Sequence, residues 1–496
     1  MTIIDGLVFT LYFLIILGIG YYFYRKNQGA EDYYIGGRKM SYPHVGLSVV
    51  ATDVGGGFSI GLGGLGFVIG MAGSWMLFTG LIGAWMAAVF LIPKVKNLST
   101  EQGFYTMPEI FQYFFNGKVA FVAGIISAIG YLGFTSSQML AGAVLASSTF
   151  ADLDLNLALW IMGGIIIIYT VMGGIKAVIY TDTFQWILLL TGLIFIGIPI
   201  AYFEIGGMEA IRDTVEPEML SLGNISWTDA VNWGVTIIPI WFVGMTLYQR
   251  IYATRSEAEA KKAWYMAGIF EWPIMAFMGV SLGLFARVAA DQGMFVDMGF
   301  DSAGDMHEEQ GLPTLLATVL PVGLMGLMMS AYFSAIMSTA DSCLVASSGN
   351  VSTDIIGRYM KWGKERASAI KWSQLVTLCI GVVALLIAAI FDTVLEIMLY
   401  SYAFMVSGLL VPVVGALYWK RSSSAGALAA MIGGGATTLI LTALPELDAR
   451  FGTNLSVDLP YGLDPNIFGI SLALVLFISI SILKPDRNKI YSGEKQ

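Results

Sequence analysis

The chain has 496 residues, of which 56% are hydrophobic and only 12% charged, with a mean hydropathy of +0.73. Soluble globular proteins carry about 25% charged residues, so this composition excludes a soluble enzyme or nucleic-acid binder and points to an all-α polytopic membrane protein. Two cysteines and two histidines are too few for a disulfide framework or a histidine metal centre, and the net charge of −9 matters less than where the charges lie.

A helix crossing the hydrocarbon core needs about 20 mostly apolar residues, a rule that yields about thirteen spans here. Their centres fall near residues 16, 58, 84, 132, 165, 190, 239, 275, 330, 380, 407, 433 and 474. Of the 26 lysines and arginines, all but Arg212, Arg287 and Arg450 follow odd-numbered spans, Lys96 and Arg250 among them. Positive charge collects on the cytoplasmic side, which puts the N-terminus outside and the C-terminus inside a cell membrane. The whole chain reads as one transmembrane domain, with a first span at about 7–25 and a cytoplasmic tail at 485–496.

The second span is interrupted at residues 49–61, VVATDVGGGFSIG. Each glycine costs about 1 kcal/mol in a helix interior relative to alanine, so three in a row beside a carboxylate indicate unwinding. The run GLGGLGFVIG (61–70) that follows is consistent with close helix packing instead. In the seventh span Pro239 and Gly244 make a second interruption, five spans after the first. Paired broken helices at matching positions are the mark of inverted-repeat transporters. One repeat then covers about 43–203 and the other about 230–419, with two further spans at about 424–484.

Carboxylates at membrane depth are costly and default to functional roles. Asp53 lies in the first break, Asp182 in the sixth span and Asp341 in the ninth. On the ninth span Ala335, Ser338, Thr339 and Ser342 share one helical face, offering oxygens suited to a hard monovalent cation. Asp182 and Asp341 cannot both stay ionised close together without a cation between them. A second sodium, a proton and an internal lysine or arginine all satisfy that condition.

The stretches YYIGGRKMSYPHVGLSVVATDVGGG (33–57), IYTVMGGIKAVIYTDTFQ (168–185), YQRIYATRS (248–256) and SAYFSAIMSTADSCLVASS (330–348) together resemble the sodium/solute symporter family along nearly the whole chain. The resemblance is to bacterial sodium/proline symporters at Asp53, and to high-affinity choline transporters at the glycine run and the ninth span. It implies a LeuT-like five-helix inverted repeat with thirteen helices. It also implies a main sodium site made by the carbonyls of Ala51, Val54 and Ala335 and the hydroxyls of Ser338 and Thr339. Asp182, Asp341 and Ser342 map onto a second cation site found in some members. For Asp53, direct ligation of the ion and an indirect structural role both remain open.

The solute is expected near the midplane between the two breaks. Candidate contacts are Gly56, Gly57 and Phe58, then Trp75, then Tyr131, Phe134 and Gln138, then Trp241 and Met245, and finally Tyr402. Aromatics with few polar partners suit a small zwitterion or a quaternary ammonium held partly by cation–π contact. The expected activity is sodium-coupled import of such a solute, such as proline or a choline-like or betaine-like compound. Proton coupling, or a monocarboxylate or sugar as solute, is the alternative. Sodium, the solute and the bilayer are the expected partners, with no nucleic acid and no obligate protein partner.

Overall fold

The computed structural model describes residues 2–26, 35–53, 55–150, 153–172, 175–356, 366–452 and 454–486. These residues are helical almost throughout. The one extended pairing among them is a bridge between Met40 and Thr254. We number the principal helices in chain order. They begin with α1 (Ile3–Lys26), α2 (Tyr42–Asp53), α3 (Gly55–Val68), α4 (Gly70–Gln102) and α5 (Gly117–Thr149). Next come α6 (Leu155–Met172), α7 (Ile175–Gly192), α8 (Trp227–Val243), α9 (Met245–Ala253) and α10 (Glu257–Asp291). The last are α11 (Glu308–Val319), α12 (Leu324–Gly349), α13 (Arg366–Ala388), α14 (Val394–Tyr418), α15 (Ser424–Phe451) and α16 (Pro465–Leu483).

A helix covers every centre named from the sequence. Among the described residues, seven stretches are long and apolar enough to cross a membrane on their own, and α8 with α9 joins them as a pair bent by 44°. Helix α12 is different in kind. Nearly all of it is buried between α5, α1, α7 and the α2–α3 pair, so its serines and threonines never face lipid.

Three interruptions shape the centre. Gly55 opens α3 with φ +50, a conformation that side chains with a Cβ seldom adopt. Gly244 leaves the helical region at ψ 115 and turns α8 into α9. The third was not expected from the sequence: α10 is disrupted at Phe270–Met275, where Trp272 has φ −138 and ψ 124 and Pro273 supplies no N–H.

The glycines at 61–70 do serve packing. A Cβ on Gly66 would enter the backbone of Val280, and one on Gly283 would enter that of Gly63. Helices α3 and α10 therefore touch main chain to main chain, as small-xxx-small faces allow.

Two basic residues assigned to inner connections lie inside the protein. Arg250 is completely buried and Lys96 is 3% exposed. Lys96 donates to the carbonyls of Tyr252 at 3.0 Å and Thr254 at 2.6 Å. Nearby, Arg255 Nε donates to Lys39 O at 2.7 Å and Arg38 Nη2 to Phe104 O at 2.9 Å. These bonds fasten the end of α9 to α4 and to residues 38–40.

Candidate functional site

Helical spacing puts the oxygens of α12 on one face, and that face meets the break in the second span. Thr339 Oγ1 donates to Ala51 O at 2.8 Å and to Ala335 O at 3.1 Å, while Ser338 Oγ donates to Ala335 O at 3.2 Å. Gly55 is what permits this approach, because a Cβ there would lie 2.7 Å from Thr339 Oγ1. Four oxygens from two helices thus gather in a buried space with no soft donor, the chemistry of a hard monovalent cation. Val54, the fifth expected ligand, lies outside the described residues.

Below this cluster stands Arg250. Its Nη2 reaches Asp182 Oδ2 at 3.5 Å and Ser342 Oγ at 3.2 Å, and also bonds Thr52 Oγ1. Its Nε donates to Ser48 Oγ at 3.0 Å, and Ser48 in turn donates to Asp182 Oδ2 at 2.6 Å. An internal arginine therefore sits where the sequence left three cations open. Asp341 is buried close by with no donor on either oxygen. Its neighbour Thr170 donates to Ile166 O at 2.8 Å.

Asp53 faces the other way, towards the middle of the bundle. Tyr402 OH donates to its Oδ1 at 3.2 Å, and Oδ2 has no partner. Opposite stands Glu271, at the interruption of α10, close enough to Asp53 for the two carboxyls to interact directly. Sequence reasoning missed Glu271. The available signal was Glu-Trp-Pro inside an apolar run, a charge beside a helix breaker.

The solute candidates divide into two groups. Tyr131, Phe134 and Tyr402 converge: Phe134 meets Tyr402 edge-on at 5.1 Å, and Tyr131 OH bonds Thr246 Oγ1 at 2.9 Å. Gln138 lies one turn along the same face of α5, buried, with Nε2 donating to Ser137 Oγ at 3.3 Å. Gly56 and Gly57 form the first turn of α3 together with the backbone of Phe58. The structure does not bring Trp241, Met245 or Trp75 to this face. Trp241 packs on Trp264 at 6.3 Å and against Gly83, because the bend at Gly244 aims it at α4 and α10. Met245 Sδ accepts from Met107 N at 3.2 Å. Trp75 Nε1 donates to Leu222 O at 2.8 Å, and its ring stacks on Trp272 at 6.1 Å.

At the end of the bundle away from Lys96, a cleft of about 370 Å³ is lined by Glu308, Glu309, Glu396 and Asp464 with no lysine or arginine. Glu309 accepts from Val394 N at 2.7 Å and Leu395 N at 2.9 Å, capping α14. Burial pushes its carboxyl up to about 7 against the pull of those two N–H groups, and Glu308 and Glu396 add to the rise. Burial, with Asp229, raises Asp464 to about 6.

A helical bundle with an oxygen cluster at a broken helix belongs to an ion-coupled transporter rather than to an enzyme, and the family profile agrees. The sodium:solute symporter profile matches residues 33–434, and the chain belongs to that family. It is thus a multi-pass membrane transport protein of the sodium-coupled symport class. Among its relatives, the high-affinity proline transporter PutP of Bacillus subtilis is 28% identical over 489 residues, covering 95% of this chain and 97% of the relative. The sodium/glucose cotransporter of Vibrio parahaemolyticus is 26% identical, covering 90% and 86%. In fold, the chain matches a Na+-coupled sialic acid symporter, solved substrate-bound and outward-open, with a TM-score of 0.76 at 21% identity, covering 99% of this chain and all of that one.

Proposed function

We propose that the protein imports a small amine-bearing solute, zwitterionic or quaternary, by coupling it to inward sodium flow. The observation that carries this is the convergence of Ala51 O, Ala335 O, Ser338 Oγ and Thr339 Oγ1 across the break. One sodium binds there, with Val54 O completing the set. Binding draws α12 against the junction of α2 and α3, and so links the ion to any solute resting there. The solute lies on Tyr131, Phe134 and Tyr402, whose rings suit a cationic nitrogen. A sugar, with many hydroxyls to satisfy, has few polar partners on that face. Relatives named as proline transporters favour the zwitterion.

The remaining architecture follows the same reading. Thirteen spans carry two inverted repeats, the N-terminus is outside, and alternating access proceeds by rocking of the repeats about the fixed site. The acid-lined cleft then faces outward and the Lys96 contacts close the cytoplasmic side. Arg250 takes the role of the second cation between Asp182 and Ser342, so the protein carries one sodium per cycle.

Uptake of radiolabelled proline, glycine betaine and choline into proteoliposomes tests the proposal. An inward sodium gradient should drive accumulation of at least one of them, and Ser338→Ala with Thr339→Ala should abolish it. Uptake that ignores sodium, follows a pH gradient instead, or survives the double substitution refutes it.

A further inference from the structure

Glu271 is a buried charge near the centre that neither the sodium ligands nor Arg250 accounts for. We propose that Asp53 and Glu271 form the receptor for an ammonium group bearing N–H bonds on the transported solute. This rests on the symport reading and narrows its solute: a primary or secondary amine is taken and a quaternary one is refused.

The hydrogen-bond inventory decides between those two chemistries. Glu271 is fully buried, and neither its oxygens nor Asp53 Oδ2 meets a donor from any group but the facing carboxyl. Leaving carboxylate oxygens buried without donors is expensive. A proton shared between the two carboxyls answers one of these oxygens at most, and the N–H groups of a ligand answer the rest. A primary or secondary ammonium has two or three N–H donors, whereas a quaternary one has none. Arg250 cannot serve Glu271, because its guanidinium is engaged with Asp182, Thr52, Ser48 and Ser342.

Tyr402 holds Asp53 Oδ1 and so aims Oδ2 inward. On α4 the Glu271 carboxyl lies against Gly80, where any Cβ would collide with Oε2. The ring of Trp272, which follows Glu271, packs on Phe78 at 5.0 Å and Trp75 at 6.1 Å. Among the described residues, no group of three or more His, Cys, Asp or Glu could hold a metal, so two carboxylates alone fit an organic cation better than a divalent ion. The cleft lined by Glu308, Glu309, Glu396 and Asp464 supplies a negative potential that concentrates cations at the entrance.

Matched probes separate the outcomes. Thermal melting of the purified protein is followed in sodium chloride with proline against N,N-dimethylproline, glycine against glycine betaine, and ethanolamine against choline. At least one N–H member should stabilise the protein, with its fully methylated twin weaker by roughly tenfold or more, the worth of a charge-assisted hydrogen bond. Glu271→Gln should weaken that member to a similar degree while the shift caused by sodium alone persists. Gly80→Ala, which displaces the carboxylate without altering its charge, should do the same.

A twin that binds as well as its parent overturns the proposal. So does a Glu271→Gln protein with unchanged affinity, the result expected if the two carboxyls merely share a proton. So too does the failure of all three N–H members while sodium still shifts the melting point. Absence of any sodium shift in the unaltered protein refutes the symport reading instead.

Discussion

Replacing Arg250 with glutamine leaves the Asp182 carboxylate buried with only the hydroxyls of Ser48 and Ser338 to answer it. The separation of 3.5 Å between Arg250 Nη2 and Asp182 Oδ2 corresponds to an attraction of about 5 kcal/mol at an effective dielectric constant near 20. Breaking a buried pair from one side costs about 3–5 kcal/mol, because the surviving charge keeps its desolvation penalty. Arg250→Gln and Asp182→Asn should therefore each lower the melting temperature strongly. The double variant removes both charges at once. It should melt above either single variant, with a coupling energy of about 2 kcal/mol or more. Measurements in sodium-free buffer keep ion binding out of the comparison. If the two losses simply add, or the double variant melts no higher than Arg250→Gln, the guanidinium is not neutralising Asp182 and the assignment of Arg250 as the internal cation fails.

Glu309 gives a pH dependence of definite sign. Its carboxyl titrates near 7 in the folded protein against an ordinary 4.5, so its contribution to stability is complete below about pH 4.5 and is lost as the pH rises through about 7. Melting curves from pH 4.5 to 7.5 should show this decline, and Glu309→Gln should flatten it; an unchanged slope would show that another group titrates there. Gly283→Ala drives a methyl into the backbone of Gly63 and should cost about 1–3 kcal/mol by overpacking. Gly164→Ala, which meets nothing within 4 Å, should be neutral or stabilising by up to about 1 kcal/mol. Equal melting of these two glycine variants would refute the close contact of α3 and α10.

What could be read from the sequence was whatever a local pattern determines. The three consecutive glycines beside Asp53 marked a break because glycine is costly in a helix, and the spacing of Ala335, Ser338 and Thr339 put their oxygens on one face. Nothing local tells which way a buried face turns. Trp241 and Met245 sit beside a bend whose 44° rotates them away from Tyr402, and only the packed helices fix that rotation. Arg250 was misplaced for a related reason: counting lysines and arginines after a span treats each as solvated, yet α9 carries this one back into the bundle. Glu271 escaped because α10 read as a single apolar crossing, and one charge in a long hydrophobic run is easily averaged away.

The contacts of Lys96 and Arg255 have an unusual asymmetry. Lys96 and Arg255 donate to main-chain carbonyls, of Tyr252, Thr254 and Lys39, whereas Arg38 reaches both Phe104 O and the Ser99 hydroxyl. Side-chain substitution at Tyr252, Thr254 or Lys39 cannot delete those acceptors, so point mutation breaks these bonds through the donors Lys96 and Arg255. Sequence drift on the opposing surface is correspondingly free. Side chains there can change in shape and polarity while the same main-chain bonds persist.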